Sequence, residues 1–208
     1  MIAIFAYLMV CLYVAGFLTL SVITSQTLRR SVWLFGTGEA RQRWTGLAFR
    51  AAFLGALLWP ALRLWQHGSG GSLPSGLLLH SAPVTIIGTL LITLGASLAL
   101  VSQYHMKSAW RIGAAEGQQG QLVVTGPFSW SRNPVFVGQG ALFIGLLLVF
   151  PDPIQLAITI TALLAIRSQV QIEEHVLRVT FGATYEDYAH RVPRWTGKIS
   201  PRIVTTQV

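Results

Sequence analysis

What most constrains this chain is the spacing of its apolar runs. Charge-poor stretches of about twenty residues, the length a helix needs to cross a hydrocarbon core, recur along it with basic segments between them. Inside a bilayer each backbone N–H and C=O must find its partner within the segment, so such runs fold as helices. Residues 2–23, 46–65 and 76–101 have the required length. Residues 135–150 and 154–166 are shorter, and Pro151-Asp152-Pro153 between them is a turn signal, so they are read as a tight helical hairpin. The expected fold is therefore an all-α integral membrane protein of about five transmembrane helices. The last helix is expected to run on past the membrane through Gln169, Glu173, Leu177 and Thr180 until Gly182 stops it. Gly88, Gly95, Ala96 and Ser97 make the third run suited to close helix approach. Residues 67–72 read as a flexible linker, and there is no internal repeat.

Composition agrees. The 208 residues are 52% hydrophobic and 11% charged with a mean hydropathy of +0.56, too apolar for an ordinary soluble domain. The net charge of +8 does not imply nucleic acid, because the Lys and Arg residues sit in short segments between apolar runs instead of in an aromatic-interleaved stripe. Cys11 is the only cysteine, so there is no intramolecular disulfide and no thiolate metal site. The five histidines show no i,i+4 pair with a partner glutamate, and no metal is assigned. The first run lacks the basic leader and small-residue cleavage site of a secretory signal and is expected to be retained as a helix.

The basic residues also suggest an orientation. Arg29, Arg30, Arg41 and Arg43 lie in the first loop, Lys107, Arg111 and Arg132 in the third, and Arg178, Arg191, Arg194, Lys198 and Arg202 in the tail. The second loop and the Asp152 turn have none. By the positive-inside rule the N-terminus lies outside, and the first loop, third loop and tail lie in the cytosol. Arg50 and Arg63 are read as snorkelling from the ends of the second span.

The C-terminal third carries polar residues that a plain anchor does not need. Leu122-Val123-Val124 is β-branched and runs into Gly126-Pro127-Phe128, so its backbone is expected to be extended or turning, with free N–H and C=O groups able to read a polar ligand. Arg132-Asn133-Pro134 precedes an apolar helix and is also explained as a basic flank, an N-cap and a first-turn proline. Glu173-Glu174 is more telling, since the chain has seven acidic residues and two adjoin here. A partly buried glutamate at this place suits an ammonium group, although a solvated helix surface also explains one of the pair. Phe128, Trp130, Phe136, Tyr185, Tyr188 and Trp195 add aromatic faces that attract a sulfonium or anchor the chain at an interface.

In order, Ser108-Ala109-Trp110-Arg111, Leu122-Val123, Gly126-Pro127-Phe128, Arg132-Asn133-Pro134-Val135-Phe136, Glu173-Glu174, Leu177, Phe181-Gly182, Tyr185, Tyr188 and Arg191-Val192-Pro193-Arg194 resemble the isoprenylcysteine carboxyl methyltransferase family and its wider group of small membrane methyltransferases. The resemblance covers residues 104–196. It implies a division into N-terminal helices over 1–103 and a catalytic region over 104–208. It also implies S-adenosyl-L-methionine as methyl donor, held by Gln121, Leu122, Val123, Phe128, Asn133, Pro134, Val135 and Phe136, with Glu173 or Glu174 at its polar end. Arg132 would lie toward the substrate. The family's histidine is Asn133 here, as in bacterial relatives, and tyrosines are replaced by Phe128 and Phe136, so stacking survives but imidazole and hydroxyl hydrogen bonds do not. The eukaryotic enzymes' substrate arginine, one turn before the glutamates, falls on Gln169 and Val170, leaving Arg167 as the nearest substitute. The implied catalytic set is thus Arg132, Glu174 and Arg167.

The implied function is O-methylation of an isoprenylcysteine-like carboxylate at the cytosolic face of a bacterial inner membrane, with the bilayer and a prenylated or lipidic molecule as partners. A phospholipid amine, a small thiol and an isoprenoid acid stay open as acceptors. Two other classes share the architecture. A sterol-type reductase would use NADPH, but Glu116, Gln118, Gln119 and Gln121 offer its phosphates no cation; a non-catalytic scaffold would bind neither cofactor.

Overall fold

A computed structural model describes residues 1–29, 31–32, 40–68, 81–112 and 121–196. The helices are α1 (Ile2–Leu28), α2 (Ala40–Gly68), α3 (Ala82–Met106), α4 (Pro134–Val149), α5 (Pro153–Phe181) and α6 (Ala183–Arg191). Four of them, α1, α2, α3 and α5, are long and apolar enough to cross a membrane, and α4 is a shorter apolar helix. The protein is an all-α, multi-pass integral membrane protein. The first two helices run longer than the apolar runs suggested, because helix continues into the flanking polar residues. Residues 76–80, the expected start of the third span, lie outside the described residues, as do most of the 67–72 linker, Arg30, Glu116, Gln118, Gln119, Lys198 and Arg202.

The hairpin forms as its sequence suggests. Asp152 caps α5 by accepting from the Gln155 N–H at 2.9 Å, and Pro153 sits in the first turn, where its missing N–H costs nothing. The same carboxylate accepts from Trp59 Nε1 at 2.9 Å and faces Arg63 at 3.5 Å, joining α2 to the hairpin. Arg63 is therefore paired with Asp152 rather than snorkelling alone. At its other end α5 stops at Gly182, whose φ of +49° suits glycine and whose N–H donates to the Arg178 carbonyl.

The closest helix contact is between α3 and α4, where two pairs of glycines face each other. An added Cβ on Gly88 would lie 2.8 Å from the Gly145 carbonyl, and Gly95 and Gly138 meet each other's backbone still more closely. Without a hydrophobic force between helices in lipid, such backbone-to-backbone packing is what holds them. A buried polar string joins α1 to the end of α3: Gln103 Nε2 and Trp110 Nε1 both donate to Ser21 Oγ, at 3.0 and 3.1 Å. Opposite, α2 runs along α5, tied by Thr45 to Ser168 at 2.8 Å and by Arg41 to Gln171. These contacts hold α1 and α2 beside the C-terminal half and leave a cavity between them.

Candidate active site

The cavity has a volume of about 470 Å³. On one side its wall is Gln121, Leu122, Val123 and Phe128, then Arg132 to Phe136. Residues 122–124 are neither helix nor strand, and Gly126–Ser129 forms one 3₁₀ turn. Gly126, at a φ of +59°, lies so close to His105 that a Cβ would come within 2.7 Å of its ring. His105 in turn faces Thr125 Oγ1 at 3.0 Å and lies roughly parallel to the Phe128 ring. The glycine is thus required both by backbone conformation and by space.

Glu173 and Gln169 close the cavity from α5. Gln169 Nε2 donates to Glu173 Oε1 at 2.9 Å, which orients the carboxylate, and the Arg111 guanidinium acts on it electrostatically. Among the described residues, Gln169 Oε1, Gln139 Oε1 and Arg132 Nε of the cavity lining are buried without a hydrogen-bond partner. Buried polar atoms are nearly always paired, so these are suited to a ligand's own polar groups.

Glu174 points elsewhere. It is 1% exposed and serves as the hub of a clamp on the tail. Arg194 grips it with Nε at 3.0 and 3.1 Å and Nη2 at 2.7 Å, a bidentate pair. Arg132 and Arg178 stand at 3.5 and 3.9 Å. Asn133 occupies the N-cap position of α4 but makes no cap bond; its Nδ2 donates to Glu174 Oε1 at 3.3 Å and to the Arg194 carbonyl at 3.0 Å. The Arg132 N–H donates to the Pro193 carbonyl, and Tyr188 Oη donates to the Phe128 carbonyl at 2.7 Å. Arg191-Val192-Pro193-Arg194 and α6 therefore brace the cavity wall from behind.

Burial first, and then the Glu174 carboxylate, push Tyr185 up to about 12, with the neighbouring arginines opposing. Desolvation raises Tyr188 as well, and the Glu174 hydrogen bond raises Arg194.

Of the residues singled out from sequence, Gln121, Leu122, Val123, Phe128, Arg132, Asn133, Pro134, Val135, Phe136 and Glu173 all line the one cavity. Glu174 lies behind that wall. Arg167 is exposed and lines a separate groove between α3, α4 and α5, shared with Trp195. Sequence reasoning missed the opposite wall: Tyr13 and Phe17 of α1, Phe53, Leu54 and Leu57 of α2, and Gln139, which donates to Tyr13 Oη at 2.8 Å. No motif marks the apolar residues, but a glutamine inside an apolar helix such as Gln139 is a usable signal. Among the described residues no cluster of His, Cys, Asp and Glu is arranged to hold a metal.

A sequence model of the phospholipid methyltransferase family matches residues 84–184, from the first turn of α3 to the start of α6. The protein-S-isoprenylcysteine O-methyltransferase of Saccharomyces cerevisiae is 25% identical over 162 residues, 76% of this chain. Over these stretches the chain is similar to the phospholipid methyltransferase family and to an isoprenylcysteine methyltransferase. It spans 64% of the length of that yeast relative. A solved eukaryotic intramembrane Ras methyltransferase, isoprenylcysteine carboxyl methyltransferase, aligns at 22% identity and a TM-score of 0.48, covering 80% of this chain and 55% of that one. The family match contains the turn, α4 and α5 wall of the cavity and both glutamates. It ends before Arg194 and excludes the α1–α2 wall.

Proposed function

We propose that this chain methylates the carboxylate of an isoprenylcysteine-like acceptor, using S-adenosyl-L-methionine bound in the cavity from the cytosolic side. The observation that carries this is one cavity with two kinds of wall. The turn and α4–α5 side offers a carboxylate, unpartnered polar atoms and two aromatic rings, while the α1–α2 side is largely apolar.

The donor set suits the cofactor. Glu173, oriented by Gln169, takes an ammonium; Arg132 Nε takes an anionic oxygen; Phe128 and Phe136 give faces to a sulfonium or a purine. When bound, the cofactor supplies an electrophilic methyl on a positively charged sulfur. A carboxylate acceptor is already nucleophilic, so no side chain need remove a proton. The chain's own task is to align the two partners and exclude water, and a closed-in cavity between helices does both. The bilayer gives a lipidic acceptor its lateral route to the α1–α2 side, and residues 104–208 act together with the N-terminal helices. By the same reading the N-terminus lies outside and the cavity mouth faces the cytosol.

Calorimetric titration of the detergent-solubilised chain tests this. S-adenosylmethionine and S-adenosylhomocysteine should bind and NADPH should not. NADPH binding alone would make the chain a reductase, and binding of none by folded protein would make it a scaffold.

A further inference from the structure

Arg50 has no role in the site described so far. It lies on membrane-crossing α2, about 6 Å inside the 46–65 apolar run, with its side chain exposed. An ionisable residue at such a place is costly and commonly functional. Phe49, Arg50, Phe53, Leu54 and Leu57 all line the cavity, and their spacing makes one stripe on α2, with the cation at its head and apolar side chains beyond it. Tyr13, Val14, Phe17 and Leu18 of α1 form the apolar counterpart.

The cavity holds three other charges, and each is engaged. Arg132 faces Glu174 at 3.5 Å, Arg111 donates to the Ala109 carbonyl and acts on Glu173, and Glu173 accepts from Gln169. Arg50 alone among them makes no hydrogen bond or ion pair with any described residue. A cavity-lining cation with no partner among the described residues, beside an apolar stripe, is complementary to an amphiphile whose head is an anion.

We propose that Arg50 is a specificity-determining residue that binds the carboxylate of an apolar-chain acceptor, so that the cavity selects an acid over an amine or zwitterionic headgroup. The proposal deepens the methyltransferase reading and rests on it.

The test uses the full chain with N-acetyl-S-farnesyl-L-cysteine and its primary amide as paired ligands, which differ in the anionic head alone. The wild type should bind the acid at least about tenfold more tightly than the amide, the size of a charge-assisted hydrogen-bond pair. Arg50→Gln should erase that preference, and Arg50→Lys should keep most of it. Equal binding of acid and amide by the wild type would overturn the proposal even if Arg50→Gln failed to fold, as would an unchanged preference in Arg50→Gln. S-adenosylhomocysteine is titrated in parallel. Its affinity should be the same in the wild type and Arg50→Gln; a fall in the variant would assign Arg50 to the cofactor and overturn the proposal. Failure of the wild type to bind it would sink the methyl-transfer reading, while the acid-to-amide ratio still reports on Arg50.

Discussion

Glu173 and Glu174 are adjacent, yet their fates differ because successive residues on a helix point about 100° apart. One faces the cavity, the other the tail. Sequence shows that the two must differ but not which is which, since that depends on how α5 is rotated against α2 and α4. Their substitutions should separate accordingly. Glu173→Gln should weaken S-adenosylhomocysteine binding by roughly 10- to 100-fold, the worth of a charged hydrogen bond, with little change in melting temperature. Glu174→Gln should lower stability by about 2 kcal/mol, because it leaves the nearly buried Arg132 and the partly exposed Arg194 beside a neutral group. Thermal unfolding and calorimetry on both variants check this; loss of binding in Glu174→Gln at full stability would return the cofactor contact to Glu174. Tyr185 offers a second residue-scale test. It is fully buried, and its hydroxyl has no partner among the described residues, while Arg178 lies over its ring. Its folded pKa of about 12 exceeds the unfolded value of about 10, so the fold favours the neutral phenol. That contribution is complete below pH 10 and is lost as pH rises from 10 to about 12. Tyr185→Phe should be neutral to stabilising at pH 7 and should lessen the alkaline loss of stability above pH 10, read by melting temperature against pH.

At the scale of elements, the α3–α4 pair is the firmest packing in the fold and its test is steric. Gly138→Val would drive two methyls into the Gly95 carbonyl and Ala99, atoms fixed by helical backbone, and should cost about 3 kcal/mol or more. Gly140→Ala on the same helix meets only a Leu163 methyl at 3.7 Å and should be neutral or stabilising by up to about 1 kcal/mol through helix propensity. Denaturant titration of the two variants in detergent measures the difference; equal effects would mean that α3 and α4 are not held through their glycines. Gly88, Gly95 and the Pro-Asp-Pro turn show why the elements were legible: apolar length, small residues and turn chemistry are local, and each element reads its own sequence. The α1–α2 wall of the cavity was not legible for the opposite reason. Phe53 and Leu57 are half-buried against the cavity whereas Leu58 and Leu62 are exposed, and nothing in composition tells a ligand-facing leucine from a lipid-facing one. Asn133 was legible as a helix start, but its bonds to Glu174 and Arg194 close over 41 and 61 residues and depend on the tertiary fold.

The molecule as a whole has a charge axis. Arg29, Arg41, Lys107, Arg111, Arg132, Arg178, Arg191 and Arg194 lie toward one end of the helices, together with the polar part of the cavity. At the other end Arg63 is offset by Asp152, so the asymmetry of free positive charge is sharper than a count of basic residues suggests. In the proposed orientation, positive-inside insertion would put the polar end in the cytosol, within reach of a soluble, charged cofactor, and would leave the apolar arm within the bilayer, within reach of a lipidic acceptor. Ser81 and Thr180, both exposed, mark the two ends. In a Cys11→Ser background, Ser81→Cys should react with a membrane-impermeant maleimide added to intact cells, and Thr180→Cys only after the membrane is permeabilised. The reverse pattern would put the cavity mouth outside, away from the cofactor. The fold would stand, but a cytosolic cofactor could no longer reach Glu173, and the methyl-transfer reading would fail on access alone.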